Sequence, residues 1–140
     1  NISYYKSFIN LDGCILCYNV NNLDSFIILK DLWSKFITHL DLPTEHFPIL
    51  LLGMKCDIRD TTSTNVSNTS PNKNQSTRQV SWDQGRQLSK KLNSLFFECS
   101  SRDNYNIDLS MDEFIKLIKI ERDRILNIQN NSNTDKCTIM

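Results

Sequence analysis

Residues Ile49 to Asp57 read ILLLGMKCD. Four aliphatic side chains in a row with no polar residue among them predict a strand covered on both faces, as in a parallel sheet. Parallel neighbours require long crossover connections, so helices are expected on either side of this run. Upstream, Gly13 to Val20 (GCILCYNV) is a second continuous apolar run of strand type. Between the two, Leu23, Phe26, Ile27, Trp33, Phe36, Ile37 and Leu40 recur at spacings of three and four. That period predicts a helix over about Leu23 to Leu40 with one apolar face. Asn22 and Asp24 are candidates to cap its start. Pro43 and Pro48 bracket the loop that returns the chain to Ile49.

Downstream of Asp57 the composition changes. Thirteen of the 17 residues from Thr61 to Thr77 are Ser, Thr or Asn, with Val66 the one apolar member. Such a stretch cannot bury enough surface to offset its ordering entropy and is expected to be a disordered insertion. Order resumes at Arg78. Ser81 with Gln84 fits a capping box for a helix to about Leu92. Leu95 to Glu98 (LFFE) reads as a third short strand, and Ser110 with Glu113 repeats the capping-box pattern. Phe114, Leu117, Ile118, Ile125 and Ile128 mark an amphipathic last helix, and the asparagine-rich residues 127–136 are expected to be a flexible extension. Strand, helix, strand, helix, strand, helix is the alternation of an α/β sheet flanked by helices. Ligands of such sheets lie beyond the carboxyl ends of the strands, which singles out the loops after Val20, Leu52 and Glu98.

Composition narrows the function. The 140 residues suit one domain, and 16 basic against 16 acidic side chains argue against a nucleic-acid binder, which needs a basic excess. No apolar run approaches the roughly 18 to 20 residues of a membrane span. The glycines are Gly13, Gly53 and Gly85. Neither a GxxxxGK phosphate loop nor a dinucleotide fingerprint can be built from that spacing. Cys14 and Cys17 have the CxxC form, but no second pair follows, and a spacing of three in a strand turns the thiols to opposite faces. Cys14 and Cys17 are therefore expected to be small buried hydrophobes in a reducing compartment, and no metal ligand is assigned. The chain begins at Asn1 and not at methionine, so either a segment has been removed or it is a piece of a longer chain, and without a signal-peptide pattern a secreted destination is not expected.

Two strand ends carry the chemistry. Gly53-Met54-Lys55-Cys56-Asp57 follows the second strand and Glu98-Cys99-Ser100-Ser101-Arg102 follows the third. Together they resemble the guanine-recognition motifs of the Ras superfamily of small GTPases, N-K-x-D and E-T-S-A-K. DGCILCYNVNNLDSF is similar to the strand and helix start that follow the second switch of that family. Arg78-Gln79-Val80-Ser81 with Gly85 looks like its R-x-V-S-x-x-E-G segment, and the chain ends in Cys137-Thr138-Ile139-Met140, a CaaX box. Five motifs in the right order are a specific signal.

The resemblance implies the last three strands and helices of a P-loop GTPase-type fold over residues 1–126, interrupted by the insertion at 61–77. It makes Asn1 to Leu11 the end of the second-switch helix. It also implies a tail at 127–140. Guanine presents a ring N–H and an exocyclic amine side by side, and a carboxylate accepts both, a pairing adenine cannot offer. By resemblance Asp57 takes that position, the stem of Lys55 lies along the base, the backbone N–H of Ser101 meets the guanine carbonyl, and Ser100 shapes the turn. Met54 departs from the pattern, standing where the family has an asparagine whose amide bonds the base and ties the loops. Loss of that bond predicts weakened nucleotide affinity, by about ten- to a hundredfold. GTP or GDP is the implied ligand, with Mg2+ expected only in an intact protein. The family's catalytic groups precede the segment matched by Asn1, so no catalytic residue is assigned here, and the first apolar strand would form an open edge.

Cys137 fits prenylation, with terminal Met140 favouring farnesyl. One lipid and the lone basic residue Lys136 predict weak, reversible residence on the cytoplasmic face of a membrane. The expected partners are a guanine nucleotide, a prenyltransferase and the membrane. The leading expectation is the C-terminal part of a Ras-like switch that binds and hydrolyses GTP. The alternative is a degenerate, non-catalytic GTPase-like interaction protein, and a flavodoxin-like module is the third.

Overall fold

In the computed structural model, which describes residues 11–40, 46–58 and 79–134, strands and helices alternate along the chain. Strand β1 is Cys14–Asn19, helix α1 Leu23–Leu40 and strand β2 Ile49–Met54. A short 3-10 turn, Cys56–Ile58, follows β2. Helix α2 is Trp82–Leu92, strand β3 Leu95–Cys99 and helix α3 Ile107–Thr134. The strands form one sheet in the order β1-β2-β3, and both pairings are parallel. This is the α/β architecture expected from the sequence. The insertion at 61–77, residues 1–10 and the box at Cys137 lie outside the described residues.

The period-two alternation of the strands sorts the core into two layers. Leu51 packs with Tyr18, Val20, Phe26, Leu29, Val80 and Leu88, which puts α1 and α2 on one face. Leu50 and Leu52 pack with Cys99 and Phe114, which puts α3 on the other. Central strand β2 is therefore buried on both sides, with Ile49, Leu50 and Leu51 at 1% exposure or less. Gly85 permits the close seating of α2, since a Cβ there would lie 2.5 Å from Phe96 Cζ.

Helix starts follow local chemistry in two cases. Asn22 caps α1, its Oδ1 accepting from Ser25 N–H at 3.2 Å. Ser81 and Gln84 form the capping box of α2, with reciprocal bonds of 3.2 and 2.8 Å. The third case differs. Helix α3 begins at Ile107, so Ser110 lies inside its first turn, buried, with its hydroxyl donating to Ile107 O at 2.9 Å. An antiparallel bridge between Ser100 and Tyr105 closes the preceding loop and delivers the chain to the helix earlier.

Five more expectations are corrected. Strand β2 runs past Leu52 through Met54, because Gly53 pairs with Tyr18 and Glu98, and Met54 with Asn19 and Cys99. Strand β1 buries one face only; Ile15 and Cys17 on the α3 side are exposed, because α3 covers β2 and β3. Cys14 is only partly buried and Cys17 is exposed, and of the described cysteines only Cys99 is fully buried. Ile27 faces outward, and Phe26, Leu29 and Trp33 form the buried stripe of α1. Finally, α3 carries residues 127–134, which the sequence assigned to the tail. No Gly or Pro interrupts residues 107–134, and extending a helix is far easier than starting one. Its 28 residues span roughly 42 Å, about twice the length of a six-residue strand, so Ile125 and Ile128 overhang the sheet and are exposed.

Candidate functional site

The parallel register sets Asn19, Met54 and Cys99 side by side at the carboxyl ends of the three strands. Everything that follows them in the chain is thereby brought to one edge. The loop after β2 and the loop after β3, separated by more than forty residues in sequence, become neighbours.

Lys55 leaves β2 with φ 62, the left-handed conformation that a non-glycine residue adopts at a cost of about 1 to 2 kcal/mol. That kink turns the chain into the 3-10 turn, where Ile58 N–H donates to Lys55 O at 3.2 Å. Asp57 sits in this turn with its side chain only 7% exposed, facing Arg102 of the next loop at 4.0 Å. Arg102 is itself 80% exposed, so the pair is loose and contributes little to stability.

The second loop is tightly built. Ser100 exchanges backbone bonds with Tyr105, at 3.1 Å for its N–H and 2.9 Å for its carbonyl, and its hydroxyl accepts from Asp103 N–H at 3.2 Å. Asn106 donates from Nδ2 to Glu98 O at 2.9 Å, pinning the loop exit to the end of β3. Ser101 lies exposed at the start of the turn. Lys55, Asp57, Ser100 and Ser101 therefore share one edge of the sheet with Met54, and Cys137 lies outside the described residues.

Met54 points away from polar chemistry. Its thioether accepts the Cys99 thiol at 3.2 Å and borders the apolar layer under α3. Burial, helped by the neighbouring Cys56, Cys17 and Glu98, pushes the Cys99 thiol up to about 11, which keeps it a neutral S–H donor. Burial also raises Cys14 and Cys17, the latter adding to the shift at Cys14. These three thiols are therefore not activated as nucleophiles. Among the described residues no three His, Cys, Asp or Glu side chains are grouped to hold a metal ion.

The sequence did not reveal the contribution of Asn21. Its Nδ2 donates to Lys55 O at 3.3 Å across 34 residues. An asparagine pair after a strand reads locally as helix capping, and only the parallel pairing of β1 with β2 puts Asn21 next to Lys55. A separate groove of about 500 Å3 lies at the opposite end of the sheet, lined by Leu11, Phe47, Pro48, Ile118 and Ile125 among others. None of Met54, Lys55, Asp57, Ser100 and Ser101 lines it.

Comparison with known proteins supplies the family. The model of the Ras family matches residues 3–120. The chain is 32% identical over 133 residues to the Rho-related protein racI of Dictyostelium discoideum, covering 93% of this chain and 63% of the relative. It is 30% identical over 135 residues to the small monomeric GTPase RhbA of Aspergillus fumigatus, covering 96% and 61%. With GTPase RhebL1 of Mus musculus the identity is 33% over 115 residues, covering 82% and 51%. The chain thus spans about three fifths of the length of the first two relatives. With the matched region running through both loops at the strand ends, the chain belongs to the Ras family, within the small GTPases.

Proposed function

We propose that the chain provides guanine recognition in a Ras-like small GTPase, a membrane-associated switch that binds GTP and GDP. The observation that carries this reading is the meeting of two loops, with the shielded carboxylate of Asp57 facing the Ser100 to Arg102 turn. A largely desolvated carboxylate accepts two parallel N–H donors more strongly than one in water. In this reading Asp57 takes the two donors of guanine, Lys55 lines the base, and the backbone of Ser101 meets the carbonyl oxygen. Hydrolysis and Mg2+ binding are properties of the whole protein in this proposal, with no catalytic or metal-binding role given to a residue of this chain.

Asp57→Asn tests the reading directly. In the natural full-length protein the variant should lose its preference for GDP over ADP by about tenfold or more, measured by competition with a labelled nucleotide. A wild-type preference that survives the substitution would falsify the assignment of Asp57.

Membrane attachment through Cys137 belongs to the same proposal and rests on the CaaX sequence. A prenyltransferase would be the modifying partner, and the lipid would hold the protein at the cytoplasmic face of a membrane. No described helix is long and apolar enough to cross a bilayer. A second reading, a GTPase-like interaction protein with little or no turnover, draws on one observation. Met54 packs against Cys99, where the family resemblance calls for an amide on the base.

A further inference from the structure

We propose that Asn21 is a positioning residue for Asp57, its side-chain amide supplying the tie between strand ends that Met54 cannot make. This inference rests on the guanine reading of Asp57. A carboxylate discriminates between bases only if it is held in place, because a mobile acceptor adapts to whatever donor arrives. What holds Asp57 is the 3-10 turn, and what anchors the turn is the carbonyl of Lys55.

That carbonyl accepts twice. Ile58 N–H at 3.2 Å closes the turn from inside, and Asn21 Nδ2 at 3.3 Å fixes it from the loop after β1. The second bond opposes any relaxation of Lys55 from φ 62 to a more common conformation, which would swing Asp57 away. Asn21 is itself well placed to serve. Its backbone N–H donates to Asn19 Oδ1 at 3.0 Å, and Val20 beside it donates to Met54 O at 3.0 Å and accepts from Val80 N–H at 2.7 Å.

The orientation of the amide is informative. Nδ2 faces the carbonyl, whereas Oδ1 is buried with no hydrogen-bond donor among the described residues. An unsatisfied buried acceptor is unfavourable, and an apolar side chain at this position would avoid it. An amide is retained where its oxygen is a liability, which locates its use in the donor. Met54 offers no substitute, since its sulfur is engaged with Cys99.

The experiment compares GDP with IDP, which differ only in the exocyclic amine that Asp57 would accept. Dissociation constants for both are measured on the natural full-length protein, on Asn21→Ala, on the similarly sized Asn21→Asp, and on Asp57→Asn. Both Asn21 variants should bring the GDP over IDP preference down about tenfold, towards the Asp57→Asn value. An amide serving stability alone would lower the melting temperature and leave that ratio intact, which overturns the proposal. Asn21→Asp keeps the measurement decisive if the alanine variant unfolds. A ratio that Asp57→Asn leaves unchanged, or a wild type without preference for GDP, overturns the underlying base reading and this inference with it. A collapse in Asp57→Asn alone overturns only the role of Asn21.

Discussion

Met54 concentrates the question of affinity in one side chain. It ends strand β2, in register with Asn19 and Cys99, and its neighbour Lys55 turns the chain towards Asp57. A thioether accepts a weak bond from a thiol but donates nothing. Its contact with the Cys99 thiol occupies the sulfur, and in the proposed base site this position offers no amide to guanine. Met54→Asn should tighten GDP binding by about ten- to a hundredfold, the worth of one buried hydrogen bond regained. Isothermal titration of both proteins checks it, and equal affinities would count against the role given to this position. The identities of Met54 and Asp57 were legible in the sequence through their motif. Asn21 was not, because its partner is 34 residues away and no local spacing encodes a contact between strand ends.

The elements differ in how far local sequence determines them. Helix α2 is specified at both ends, by the Ser81–Gln84 capping box and by Asn93 at φ 50. Its height above the sheet is a tertiary matter decided at Gly85, which faces Tyr18 and Phe96. Gly85→Ala raises helix propensity yet places a methyl group inside the Phe96 ring contact. Overpacking should dominate and destabilise the protein by about 1 to 3 kcal/mol, read as a lower midpoint in urea denaturation. A higher midpoint would mean that α2 can lift without loss. Helix α3 shows the converse. Its start depends on the Ser100–Tyr105 bridge and not on the Ser110–Glu113 pattern, since Ser110 is already inside the first turn.

At the scale of the whole molecule, two features face outward. Strand β1 is an edge of the described sheet, with Ile15 and Cys17 exposed beside it. An open apolar edge invites pairing with another strand. The other feature is the chain end. Helix α3 carries the chain past the sheet to Thr134, and the CaaX residue Cys137 lies beyond the described residues. Cys137→Ser should shift the protein from the membrane fraction to the soluble fraction; an unchanged distribution on cell fractionation would remove the lipid from the proposal. The sequence by itself determined the α/β alternation, the central strand, two of the three helix starts and the pair of loops that carry the motifs. It could do so because burial period, capping chemistry and motif spacing are all local along the chain. Tertiary structure alone decided that α1 and α2 share a face opposite α3, that β1 is covered on one side, that Asp57 meets Arg102, and that Asn21 holds Lys55. Each of these depends on which strands pair and in what register, and parallel pairing is a relation between distant segments that no single stretch of sequence contains.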